Sequence, residues 1–386
     1  MNIFKLFHPS TRTVLSLSTG LVYTVILSLP SFVVAESGPQ FRDLQSQSMG
    51  RTGVASSNGA SSLFLNPAAL AGNEKSGGGI VTDLGLNSIL LDYASWASKN
   101  YKYLNSTDSL LKRIGEVDNK WAPFSQTNMI YGNFQGTAFA ALIDTRYDLT
   151  IGKAVVTPVP GVGALSDLIL TAGRGFETSD GYHFGFALKY FYRLNLPDRL
   201  VGTTDEAFYK VKQTWEKPDN GWTDKFKKIG VAGEIASTKQ AVGLNLGAEK
   251  KVGENWNAGI SLLDFPTVMD QKFVRPDINL GLSYHRNLDL VEDLDNRLLV
   301  NLDFQRFLIP GTPWFRQIKT GLALEGYMKK RQVSYIALGL NDGYPTFGVR
   351  VGYIVYLSYV YVAEEIGTYP GQEKLSFHKI ALQLDL

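Results

Sequence analysis

The chain closes on Lys379-Ile380-Ala381-Leu382-Gln383-Leu384-Asp385-Leu386, with an apolar side chain at each even position and, Ala381 apart, a polar one at each odd position. Successive side chains of a strand point to opposite faces, so this period of two gives one apolar and one polar face. The same dyad runs through Ile278, Leu280, Leu282 and Tyr284, and through Leu298, Val300, Leu302 and Phe304. In Tyr182, Phe184, Phe186, Leu188, Tyr190 and Tyr192 the tyrosines stand at the ends and Phe and Leu between them, the order of an aromatic girdle around a lipid-facing band.

Turn signals such as Asp180-Gly181, Gly253 and Asp342-Gly343 divide the chain after residue 76 into about fourteen strands. Their expected spans are 77–93, 122–133, 136–148, 164–178, 181–195, 238–251, 254–265, 275–286, 295–307, 314–327, 331–341, 345–353, 355–364 and 374–386. Odd-numbered connections include the long ones, 94–121, 149–163 and 196–237, whereas even-numbered ones are mostly tight. Short turns on one side and long loops on the other are what a transmembrane antiparallel β-barrel requires, and closure removes the edges that so many apolar strands would expose. Within the long loops, Ser109–Val117 and Glu206–Trp215 carry helical spacing behind Thr-Asp caps.

Residues 1–35 read as a signal peptide. Lys5, His8 and Arg12 precede the apolar stretch 14–29, and Val33-Val34-Ala35 places a cleavage before Glu36. The 386 residues carry 38 basic and 36 acidic side chains mixed along the chain, which leaves no basic face for nucleic acid. With no cysteine there is neither disulfide nor thiolate site. His183, His285 and His378 stand on separate predicted strands, and no nucleophile-elbow, Walker or dinucleotide motif accompanies them. No enzyme, metal or cofactor is expected, although Ser and His brought together from neighbouring strands would escape a reading of spacing.

Residues 36–76 break the alternation. Small residues crowd into 48–60, and Leu63-Phe64-Leu65-Asn66-Pro67-Ala68-Ala69-Leu70 follows. Glycines let backbone approach backbone, and many inward positions of the strands are also Gly or Ala, which leaves room for a plug inside the barrel. Here the chain resembles the FadL-like superfamily, which holds the long-chain fatty acid transporters and the PorV-type proteins of a bacterial secretion system. Met49-Gly50-Arg51-Thr52-Gly53-Val54-Ala55 and Asn66-Pro67-Ala68 match its N-terminal hatch, with Asn58-Gly59 in place of an acidic pair common there. The tail through Glu364-Glu365-Ile366-Gly367 and His378-Lys379-Ile380 is similar to that group's last hairpin.

The resemblance implies a hatch at 36–76 with Gly50, Arg51, Gly53, Asn66, Pro67 and Ala68 among its residues, inside an outer-membrane barrel at 77–386. It implies a transporter of hydrophobic small molecules such as long-chain fatty acids, or alternatively a scaffold that binds a protein partner in secretion or surface assembly. Lys189, Arg193, Asp303, Lys319, Glu325 and Lys379 fall on inward positions and make a lumen of mixed sign. An apolar passage from the outer loops to the hatch would favour the transporter, and an unbroken polar lumen filled by the plug would favour the scaffold.

Overall fold

The computed structural model describes residues 41, 43–73, 76–100, 121–153, 158–200, 237–269, 272–291, 294–307, 312–329, 331–366, 372 and 374–386. The signal peptide and the two expected loop helices lie outside them. Fourteen antiparallel strands form the wall among the described residues. They are β1 (Gly77–Asn87), β2 (Trp121–Phe134), β3 (Thr137–Lys153), β4 (Pro158–Glu177), β5 (Tyr182–Leu200), β6 (Ser237–Val252) and β7 (Trp256–Leu263), then β8 (Asp277–Val291), β9 (Leu294–Phe304), β10 (Ile318–Met328), β11 (Arg331–Asn341), β12 (Tyr344–Gly352), β13 (Val355–Glu365) and β14 (Lys374–Asp385). Each pairs with its neighbours in sequence, and β1 pairs with β14, so the sheet closes on itself.

Three departures from the sequence reading have local causes. The first strand stops at Asn87, whose Oδ1 accepts the Ile89 amide at 2.7 Å and starts helix α3 (Ser88–Asn100). The loop expected at 149–163 is mostly wall, because β3 and β4 run on to Lys153 and Pro158. After Leu263 the chain turns at Asp264 (φ +59°), and Val268–Met269 takes over pairing with the outer part of β6. Even-numbered connections are tight turns such as 135–136 and 253–255, all at one end of the barrel, as the sequence reading expects.

Outside the wall, Phe139, Leu188, Ile336, Leu357, Ile380 and Leu382 are exposed as an apolar band. Among the described residues no helix is long and apolar enough to cross a membrane. Arginine in place of Ile380, near the middle of β14, is expected to lower stability in lipid vesicles by about 2–4 kcal/mol, measured by denaturant titration. A change below a few tenths of that would show that this face is not in lipid.

Ahead of β1 lie two short helices, α1 (Leu44–Ser48) and α2 (Ser62–Leu65), and the 3₁₀ turn Pro67–Gly72. Asp43 caps α1 by accepting the Ser46 amide at 2.9 Å. Asn66 is extended, accepts the Ala68 amide with its side chain, and hands over to Pro67 at a position where a missing N–H costs nothing.

Candidate functional site

On β4 to β12, inward glycines stand where this N-terminal segment presses on the wall. A Cβ on Gly185 would lie 2.6 Å from the Ala68 amide nitrogen, on Gly259 2.7 Å from the Val54 carbonyl, on Gly281 2.7 Å from Val54 Cβ, and on Gly321 2.5 Å from the Met49 carbonyl. Gly173, Gly175, Gly247, Gly339 and Gly348 meet the same segment. No other residue allows this approach. Among the described residues, the segment 43–73 packs inside the barrel as a plug.

Hydrogen bonds hold the plug to the β6–β12 side. Asp303 Oδ2 accepts the amides of Gly53 and Val54 at 2.8 and 3.1 Å. Asn301 donates to Ser56 Oγ at 2.6 Å, Gln305 to the Arg51 carbonyl at 2.7 Å, and Asn245 to the Leu63 carbonyl at 3.0 Å. Asn66 donates to the Val54 carbonyl at 2.7 Å and stands against Gly247. Gly50 (φ +71°) and Arg51 (φ +67°) both occupy the left-handed region, which is costly for arginine. Arg51 is held there by Glu364 at 2.7 Å and by the bond to Gln305.

The charged residues expected in the lumen each meet a partner that the sequence alone could not pair. Lys189 is buried against Asp264, and Lys319 against Asp342 and Asn341. Arg193 grips Asp167 with two bonds of 2.7 and 2.8 Å. Glu325 accepts Arg297 at 2.6 Å, Tyr327 at 3.0 Å and Gln332 at 2.9 Å. Lys379 lies 3.6 Å from Asp83, and Asp303 serves the plug. Buried ions without such partners would cost several kcal/mol each, so these pairs let the barrel carry charges on its inner face.

The opposite side of the lumen carries a continuous apolar row. Strand register places Val81, Met129, Leu142, Ile169, Phe191, Ala241 and Met269 side by side on successive strands from β1 to β6 and the segment paired with it. All seven are buried and pack with Leu63, Phe64 and Leu70 of the plug. Barrel strands tilt, so a row of paired residues climbs the wall. Val81 stands four residues from the tight-turn end of β1, Gly77, whereas Ala241 stands eleven from that of β6, Val252. At roughly 3.4 Å per residue the row rises by about 20 Å. A band with Asp83, Thr127, Asp144, Asp167 and Arg193 borders it on the outer side.

At its lower end this ramp meets a cavity of ≈ 250 Å³ between the plug and strands β1, β2 and β10 to β14. Phe41, Val81 and Met129 line it together with Arg350 and Asp385, and Phe41 packs edge-on to Phe64 at 4.8 Å. A second cavity, of ≈ 370 Å³, is lined by polar groups that include Glu249, His183 and His285.

His378 is not isolated in space: its Nε2 lies 3.3 Å from Ser88 Oγ and its Nδ1 2.7 Å from the Tyr359 hydroxyl. Ser88 is closer to Ser376, at 2.8 Å, and a phenol rather than a carboxylate orients the imidazole. A nucleophile would need a stronger orienting base pair than this. Among the described residues no group of three or more His, Asp and Glu is placed to hold a metal ion.

No protein-family model matches the chain. No curated protein sequence matches it. Among solved structures it is similar to the toluene transporter TbuX of Ralstonia pickettii, at 12% identity and a TM-score of 0.49, over 90% of this chain and 98% of that one. It is similar to the toluene transporter TodX of Pseudomonas putida at 12% identity and a TM-score of 0.43, over 92% and 99% of the two chains. The monoaromatic hydrocarbon channel CymD gives 12% and 0.43, over 92% and 98%. The likeness is one of fold alone.

Proposed function

We propose that the chain is an outer-membrane transporter for hydrophobic small molecules, a class that includes long-chain fatty acids. The observation that carries this reading is the apolar ramp, which rises along β1 to β6 from the cavity at the plug to the outer part of β6. A structural seal has no need of two unlike walls. Here the polar wall makes most of the hydrogen bonds to the plug, and the row along β1 to β6 packs against Leu63, Phe64 and Leu70. A hydrophobic molecule moving between plug and ramp loses little by leaving lipid, and the flexible Met129 and Met269 side chains can shift around it. Gly50, Arg51 and Gly53 then belong to the part of the plug anchored opposite the route, while Asn66, Pro67 and Ala68 seat it on β5 and β6.

Export follows cleavage after Ala35, and the plug occupies 36–76 ahead of the barrel at 77–386. An unbroken polar lumen would have supported a scaffold for a protein partner; the ramp favours transport.

Uptake of a labelled hydrophobic compound by cells with and without the chain tests the proposal, and equal rates would refute it. Asparagine in place of Ile169 puts an amide into the ramp where nothing answers it, at a cost of about 1–3 kcal/mol. We expect uptake to fall about tenfold or more while the folded yield stays within twofold, and unchanged uptake would remove the ramp from the route.

A further inference from the structure

We infer that the outward rim of β4 to β8, at the end of the tight turns, is a binding surface for the headgroups of anionic phospholipids. This concerns the outside of the wall and does not rest on the transport reading.

Even-numbered residues of these strands point outward, and three of them at this end are basic: Arg174 on β4, Lys250 on β6 and Arg286 on β8. They stand three, two and five residues from the tight-turn ends of their strands, Glu177, Val252 and Val291. A tilted strand crosses the hydrocarbon with about 9 to 11 residues, so positions this close to an end meet the headgroups. Aromatic rings mark the same level. Arg174 lies over Phe176 at 5.4 Å, Lys250 over Tyr182 at 3.8 Å, and Trp256 packs on Tyr284 at 4.9 Å. Register sets Trp256 opposite Val252 and Tyr284, which makes Lys250 and Arg286 its diagonal neighbours on either side, each about 7–8 Å away.

Nothing on this face answers the three charges. At this end no even-numbered position of β4 to β8 holds a carboxylate, and Glu177 and Glu249 flank His183 on the inner face instead. None of the three cations makes an ion pair among the described residues. The basic residues also form an arc and not a ring: Val355, Leu384, Ile80, Phe134 and Thr137 take the outward positions at the same end from β13 round to β3. Arg331 stands apart on β11, over Tyr353.

Long basic side chains at the edge of the hydrocarbon extend their charge to the headgroups and lay their stems along apolar surface. A phosphodiester there accepts from ammonium and guanidinium alike. A zwitterionic headgroup offers the same phosphate but brings its own ammonium, which the three cations repel. Each basic residue beside an anionic bilayer surface strengthens the attraction about fivefold. Exposed Phe176, Tyr182 and Trp256 suit acyl chains and glycerol below that phosphate, which favours a lipid over a protein partner.

The test uses the folded full-length protein in phosphatidylcholine vesicles that contain a small fraction of brominated phosphatidylglycerol or brominated phosphatidylcholine, which quench nearby indoles. Subtracting the emission of a Trp256→Phe variant isolates Trp256. Brominated phosphatidylglycerol should associate there about twentyfold more strongly than the brominated phosphatidylcholine, and salt of about 1 M, with a Debye length of about 3 Å, should remove most of the preference. Lys250→Gln and Arg286→Gln should each lower it about fivefold. Lys251→Gln removes the same charge from the adjacent inward position and should leave it unchanged. Heat-dependent gel mobility checks that each variant is folded. Equal association of the two lipids at Trp256, or an equal loss with Lys251→Gln, overturns the inference.

Discussion

Valine in place of both Gly185 and Gly339 is expected to convert an ion-tight barrel into a conducting one. The two added side chains meet plug backbone rather than flexible side-chain ends: Ala68 and Pro67 at one site, Gly50 and Met49 at the other. Overpacking of a rigid core costs about 1–3 kcal/mol per site, and rigid backbone on the far side puts both changes at the upper end. The fourteen paired strands are untouched by it, so the wall should persist while the plug loses its seat. In planar bilayers the unaltered protein should be silent and the double variant should show stepwise conductance. A folded variant that stays silent would mean that the plug is not seated on these glycines.

Alanine in place of Asp303 is expected to loosen the middle of the plug without breaking the barrel. The carboxylate accepts the amides of Gly53 and Val54, both buried, and receives Gln305 at 3.2 Å. Removing it orphans two backbone donors at about 1–3 kcal/mol each. Opening of the plug should become favourable by about 3 kcal/mol, which raises amide exchange at Gly53 and Val54 roughly a hundredfold. Hydrogen exchange read by mass spectrometry over peptides 43–73 checks this, with strand peptides as the internal reference. Asparagine, which keeps an acceptor oxygen at the same place, should recover part of the protection.

The wall was legible in the sequence because lipid imposes its rule on every strand. Alternation at Ile278–Tyr284 or Lys379–Leu386 needs no knowledge of what lies across the sheet, and the strands found there follow it. It failed where another local signal took over. At Ser88 the Asn87 cap outweighs apolar residues that also suit a strand, and at 149–153 and 158–163 the pairing of β3 with β4 draws Gly- and Pro-containing chain into the sheet. Pairing partners were illegible for a different reason. Nothing near Lys189 points to Asp264, which reaches it only because the chain turns at the end of β7, and nothing near Asp303 points to Gly53. The ramp shares this character. Val81, Met129 and Ile169 are unremarkable inward residues one by one, and only the register of six wall strands aligns them. The inward glycines did carry a signal, since strands that enclose water have no reason to omit side chains.

The account turns on a hydrophobic molecule passing along the β1 to β6 wall while the plug stays bonded to the other. Ser56 and Asn301 touch across the plug and the polar wall at 2.6 Å, and the chain has no cysteine of its own. Cysteines at both positions can be joined through a short bifunctional methanethiosulfonate, a single crosslink that is closed by this thiol oxidation and opened by a reductant. Uptake of a labelled hydrophobic compound measured in both states should be equal within about twofold. Uptake that disappears on oxidation and returns on reduction would show that the plug itself must move, and would contradict the account.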